Sequence, residues 1–162
     1  MELLPFDDYV AQLNRKRMSA GVLFYDAAGR VLLVEPSYKP HWDIPGGAVD
    51  AGEAPWTTAA REVREEIGIE PRLGRLLVID YVTDDGRMPE GVAFVFDGGQ
   101  LDQATVAELA LTDPEIVSVR LCSLDDVASR VKPSLAARLR ATLEALADGT
   151  TVLCEEGNPI GR

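Results

Sequence analysis

This 162-residue sequence has little cysteine, a single histidine, few aromatic residues and far fewer basic than acidic side chains. Cys122 and Cys154 stand far apart in sequence, so they form neither a disulfide framework nor a zinc pattern. Both are expected as buried or half-buried thiols in a reducing compartment. No apolar run approaches the roughly 18 residues of a membrane span. The opening residues, MELLPFDDYV, carry acids where a signal peptide carries a basic segment. A cytoplasmic protein is therefore expected. Lys and Arg number 16 against 27 Asp and Glu, a formal charge of −11. That excess disfavours nucleic acid and anionic membranes as partners. It does not disfavour small phosphorylated ligands, because a divalent cation can bridge two anions.

Apolar residues make up 46% of the chain, in the globular range. The length suits one domain over residues 1–162, with no internal repeat or low-complexity tract. Residues Phe6 to Arg17 are expected as a short N-terminal helical extension, with Phe6, Val10 and Leu13 on one side. β-type runs follow at Met18–Tyr25 and Val31–Glu35, joined by a hairpin connector through Gly29. Pro36 to Trp42 reads as a loop, and Ile44 to Val49 as a tight glycine-rich segment. Pro55 to Ile67 reads as a helix, with proline in its first turn and Gly68 at its end. Further strands are expected at Leu73–Val82, Val92–Phe96 and Ile116–Leu121, a helix at Ser134–Ala147, and a loose tail ending EEGNPIGR. Strands on both sides of the central helix predict an α/β (α+β) fold with helices on the faces of a mixed sheet. A homodimer is left open, through the N-terminal segment or an exposed strand edge.

The central helix carries the chemistry. Glu62, Glu65 and Glu66 are spaced i, i+3 and i+4, which puts three carboxylates on one face. Three like charges there are destabilising unless something positive lies between them. Arg61 and Arg64 flank the cluster and can screen it, and a divalent metal would do more. Hard oxygen ligands suit Mg²⁺ or Mn²⁺, which binds substrate phosphate while keeping few protein carboxylates. Gly46 and Gly47 precede the helix and allow close backbone approach, and a carbonyl there is a further hard ligand. Glu53, between the glycines and the helix, can pair with Arg61 and hold it. The plain alternative for such a run is a solvated acidic helix face.

Gly47, Glu53, Arg61, Glu62, Val63, Glu65, Glu66, Gly68 and Ile69 together resemble the Nudix box, residues 47–69, with every defining position filled. The lead-in Trp42-Asp43-Ile44-Pro45-Gly46 is similar as well. The resemblance implies an α/β/α sandwich around a central mixed sheet. It implies a Mg²⁺- or Mn²⁺-dependent hydrolase that cleaves a diphosphate linkage in a nucleoside diphosphate derivative. By the same resemblance, Glu62, Glu65, Glu66 and the Gly46 carbonyl are metal ligands, and Arg61 and Glu53 brace the helix. Glu66 or Glu65 is expected as ligand and Glu62 as ligand or partner of the attacking water, with the general base unassigned. The family often adds one acid from outside the box, for which Glu115 is the candidate and Glu90 and Asp113 are weaker ones.

Tyr38 and Trp42 are candidates to stack on a base and Lys39 to meet a phosphate, against plain readings as surface or packing residues. His41 reads as structural, and Asp80 and Tyr81 as strand-end residues that could face the pocket. No motif for NADH, coenzyme A, ADP-ribose or diadenosine polyphosphates is recognisable. That tilts the substrate towards a nucleoside triphosphate or a broad nucleotide range. The alternatives are a non-catalytic nucleotide-binding or sensor domain, which usually lacks box glutamates, and an isomerase, which needs a reactive cysteine.

Overall fold

The computed structural model describes residues 3–161. The acidic start at Met1 and Glu2 lies outside them. The chain runs α1 (Phe6–Gln12), β1 (Arg17–Tyr25), β2 (Val31–Pro36), β3 (Gly46–Ala48), α2 (Pro55–Ile67), β4 (Leu76–Val82) and β5 (Gly91–Gln100). It continues with α3 (Gln103–Ala107), β6 (Ile116–Cys122), α4 (Leu124–Arg130), α5 (Pro133–Asp148), β7 (Val152–Glu155) and β8 (Asn158–Pro159). The strands form one mixed sheet in the order β6-β2-β1-β5-β4-β7-β8, with β3 added beside β1.

Period-two alternation of apolar side chains builds both faces of this sheet. Leu23, Leu33, Val78 and Val95 point to one side and pack with Val127 of α4 and with Leu135 and Leu139 of α5. Their neighbours Val22, Phe24, Leu32 and Val34 point to the other side and pack with Ala59, Val63 and Ile67 of α2 and Val106 of α3. Central strands that are apolar on both faces require a cover on each, and the helices supply it. The result is the expected α/β/α sandwich around a mixed sheet.

β1 changes partner partway along its length, and that change creates the site. At its end it meets β2, Tyr25 opposite Val31. Further back it pairs with β3, Ser19 opposite Ala48 and Gly21 opposite Gly46. Between β2 and β3 the chain swings out as the loop 37–45 and returns. The glycine-rich segment is thus a short strand rather than only a tight turn. Gly46 has φ +150, and a Cβ on it would lie 2.6 Å from the Cα of Gly21, so no larger residue fits.

Other elements differ from the sequence reading. α1 stops at Gln12 rather than Arg17, because β1 starts at Arg17 to pair in parallel with Gly91 of β5. None of its residues is buried, so Phe6, Val10 and Leu13 anchor nothing among the described residues. α3 and α4 were not anticipated. Each is short and starts at a side-chain cap, Asp102 accepting from the Thr105 N–H and Ser123 from the Asp126 N–H. The tail is not loose: β7 pairs in parallel with β4, and β8 folds back on β7. Both cysteines are buried. No helix is long and apolar enough to cross a membrane among the described residues.

Candidate active site

α2 begins at Pro55 and ends at Gly68, which takes a left-handed conformation and donates its N–H to the Arg64 carbonyl. Its inward side chains are Thr58, Ala59, Val63, Glu66 and Ile67, one helical stripe. Glu66 is thus a carboxyl on a mostly apolar face that it shares with the Thr58 hydroxyl, and it is 9% exposed. Its Oε2 accepts the Gly46 N–H at 2.8 Å. Burial pushes its carboxyl up to about 8, with the charges of Glu62, Asp43 and Asp113 adding to the rise and the Gly46 N–H opposing it. Glu62 lies against Gly47, where a Cβ would sit 2.6 Å from its carboxyl carbon. Burial raises the Glu62 carboxyl too, against the pull of Arg61, and the charges of Glu65 and Glu115 add to the rise.

Arg61 is the counter-charge for the cluster. Its Nε and Nη2 form a fork on the two oxygens of Glu53, each at 3.0 Å. Its Nη1 divides between Glu62 Oε1 at 2.8 Å and Glu65 Oε2 at 3.0 Å. Asp50 lies 3.5 Å from Nη2. Hydrogen bonds from Arg61 and from the Thr58 hydroxyl hold Glu53 down to about 2. Arg64, the other expected screen, turns away and forks onto Glu70.

Among the described residues, no three Asp, Glu, His or Cys side chains converge into a ready metal cluster. Arg61 draws Glu62 and Glu65 aside, and Gly46 holds Glu66. The donor set nevertheless fits a hard divalent cation. It has oxygen donors only and three carboxylates within about one turn, one of them buried.

The remaining candidates separate. Glu115 is exposed in the turn before β6, where its carbonyl accepts the Ser37 N–H at 2.7 Å and ties that turn to the loop 37–45. Asp113 accepts the Glu115 N–H, and its charge reaches Glu66. Glu90 instead clasps Asn14, Lys16 and Tyr81, joining the chain before β1 to the hairpin of β4 and β5. Tyr38 is 66% exposed and lines the same cavity as Glu66. Lys39 pairs with Asp43 at 2.8 Å. Trp42 packs on the α5 side of the core under the Arg130 guanidinium, 4.8 Å from the ring centre. His41 is exposed in a cavity wall rather than packed inside. Asp80 is fully buried and pairs with Arg138.

The sequence assigns no separate role to Asp43 or Arg138. Asp43 stands in the lead-in to the glycines, and its spacing of four from Lys39 was the available signal. Arg138 lies in a helix whose apolar spacing explained it fully, so no local signal marked it.

Comparison with known proteins agrees with this architecture. Over 66 residues, 40% of this chain and 37% of that protein, the sequence is 44% identical to diphosphoinositol polyphosphate phosphohydrolase 2 of Rattus norvegicus. The match spans well under two thirds of that relative's length. An Ap4A hydrolase of C. elegans is 26% identical with TM-score 0.61, over 82% of this chain and 98% of that one. The MutT NUDIX hydrolase of Burkholderia pseudomallei is 25% identical with TM-score 0.64, over 82% of this chain and 99% of that one. The NUDIX domain family matches residues 15–146, most of the chain, and the protein belongs to that family.

Proposed function

We propose that the protein hydrolyses a diphosphate linkage in a nucleotide or related small phosphorylated compound, with Mg²⁺ or Mn²⁺ held at α2. The observation that carries this reading is Glu66, a carboxyl buried on the helix's apolar face beside Glu62, with proton affinity pushed up to about 8. A fold keeps such a group at a cost unless positive charge joins it. Glu62, Glu65 and Glu66, with the Gly46 carbonyl, are the residues to hold the ion. Bound there, the ion would supply positive charge to the diphosphate.

The chain's own residues divide the remaining work. Glu53 keeps its fork on Arg61, so the guanidinium stays in place while Nη1 releases Glu62 and Glu65. One carboxylate of the cluster takes the proton of the attacking water. Glu115, on its turn beside the loop 37–45, is placed to add a further negative charge, and its field already reaches Glu62. Tyr38 and Lys39 offer a ring and a cation at the same cavity.

The names of the relatives support two substrate classes. The Ap4A hydrolase likeness supports a nucleotide, and the 44% identical segment supports a diphosphoinositol polyphosphate. The test is a panel of both classes with Mg²⁺ and with Mn²⁺, reading phosphate and pyrophosphate release, with Glu66→Gln as control. Metal-dependent turnover lost in the variant supports the reading. Metal-dependent nucleotide binding without turnover on any substrate would make the protein a binding or sensor domain instead.

A further inference from the structure

Two cavities of about 340 and 310 Å³ adjoin along Arg17, Ser19, Lys39, Asp43, Met88 and Arg138, which line both. The smaller one takes in Glu66, Gly46 and Gly47. The larger one leads away from α2 to the start of α5 and to the β4–β5 loop. In a chain with 16 basic residues for 27 acidic ones, this second wall gathers Arg17, Lys39, Lys132 and Arg138.

Its three carboxylates are already engaged. Asp43 takes Lys39 at 2.8 Å. Asp85 accepts the N–H groups of Arg87 and Met88 at 2.9 and 2.7 Å. Glu156 accepts both the N–H and the hydroxyl of Thr83, each at 2.6 Å. Two of the cations are engaged as well, Lys39 by Asp43 and Arg17 by the Pro89 carbonyl at 2.6 Å, and two keep donors free. Arg138 gives Nε to Asp80 Oδ2 at 2.6 Å, while its terminal nitrogens have no hydrogen-bond partner among the described residues and are not sealed from solvent. The Lys132 ammonium, exposed at the start of α5, makes no hydrogen bond or salt bridge among the described residues, and its charge bears on Asp85. Arg138 and Lys132 therefore keep hydrogen-bond donors turned to this wall, although the charges of Glu156 and Asp85 already face them.

Asp80 explains how Arg138 is held. It is 0% exposed, and its other oxygen accepts the Gly157 N–H at 3.0 Å. A buried carboxylate with both oxygens satisfied fixes its arginine in one place. Asp80 is thus a positioning residue for a guanidinium at the cavity.

We propose that this wall receives a phosphate outside the scissile diphosphate, so that the preferred substrate carries three or more phosphates, with Arg138 and Lys132 as its receptors. The inference rests on the diphosphate-hydrolase reading and narrows it. Compounds with only two phosphates, such as sugar nucleotides, leave the wall unfilled. Guanidinium and ammonium groups in a recess are the expected partners of such a phosphate.

Calorimetric titration of the full chain with inorganic tripolyphosphate and with inorganic pyrophosphate tests this. Tripolyphosphate should bind about tenfold tighter, the scale of one charge-assisted hydrogen bond. Lys132→Gln, at an exposed residue, and Arg138→Lys, which keeps a cation against Asp80, should each narrow that gap several-fold. With Mg²⁺, each variant should raise KM for ATP more than it lowers kcat, and should affect ATP more than ADP-ribose. Equal binding of the two probes, or variants that weaken both alike, would overturn the proposal. If the gap appears without turnover of any substrate, the subsite stands and the hydrolase reading falls. If turnover appears without the gap, the reverse holds.

Discussion

The backbone N–H of Gly46 donates to the carboxyl of Glu66 at 2.8 Å, joining the strand inserted beside β1 to the inward face of α2. The bond ties two segments whose spacing is set by different forces. β3 lies where its pairing with β1 puts it. α2 lies where Ala59, Val63 and Ile67 pack on the sheet. Glu66 bridges the two, so its environment is a product of the whole sandwich.

Glu66 makes the stability of the metal-free protein depend on pH. Its folded value of about 8 lies above the ordinary 4.5, so the unfolded chain loses this proton first. Stability is unaffected below about pH 4.5 and falls as pH rises through the window to about 8. Glu66→Gln, which cannot ionise, should be the more stable protein at pH 9 in chelator and close to wild type at pH 4. Chemical denaturation at the two pH values checks this. Under turnover conditions the same variant should lose on the order of 10²-fold or more in kcat, the scale of removing one preorganised electrostatic group.

Mg²⁺ binding should release protons. A cation that occupies Glu66 displaces the proton held there near neutral pH. Affinity should therefore rise between pH 6 and pH 8, and titrations in buffers of different ionisation enthalpy should give different apparent heats. At a concentration 100 times its Kd, the ion should stabilise the fold by about 2.7 kcal/mol.

Glu53 acts in the opposite sense. Held down to about 2 by Arg61 and Thr58, it contributes stability that is present above pH 4.5 and lost as pH falls towards 2. Glu53→Gln should flatten that acid-side loss. It should also free Arg61 to rotate, lowering kcat more than it raises KM, because the brace is at the carboxylates rather than on the substrate.

Gly46→Ala tests the backbone. The added Cβ meets the Ala20 carbonyl and lies 2.6 Å from the Gly21 Cα, at a φ that favours glycine. β3 must shift, and with it the donor to Glu66. Turnover should fall sharply while far-ultraviolet circular dichroism shows a retained sheet. Ile67→Ala, on the same helix but in the apolar stripe, should instead cost about 2–5 kcal/mol of stability and leave the metal dependence in place.

Elements whose signals lie within a few residues of one another are legible in the sequence. α2 runs from Pro55 to Ile67 as its proline, its periodicity and Gly68 predict. The three box glutamates fall within one turn of it, and Arg61 meets Glu53 as their spacing suggests. Strands on both sides of the central helix foretold a mixed sheet with helices on its faces. Tertiary structure decided the rest. α1 ends early because β1 needs Arg17 extended against Gly91, a partner 74 positions along the chain. β7 and β8 exist because β4 offers an unpaired edge, which no reading of the tail reveals. Arg138 reaches its cavity through Asp80, 58 residues away in sequence. Helix signals are local because their hydrogen bonds close within four residues. Strand edges, buried ion pairs and cavity walls depend on distant partners, so only the folded chain brings them together.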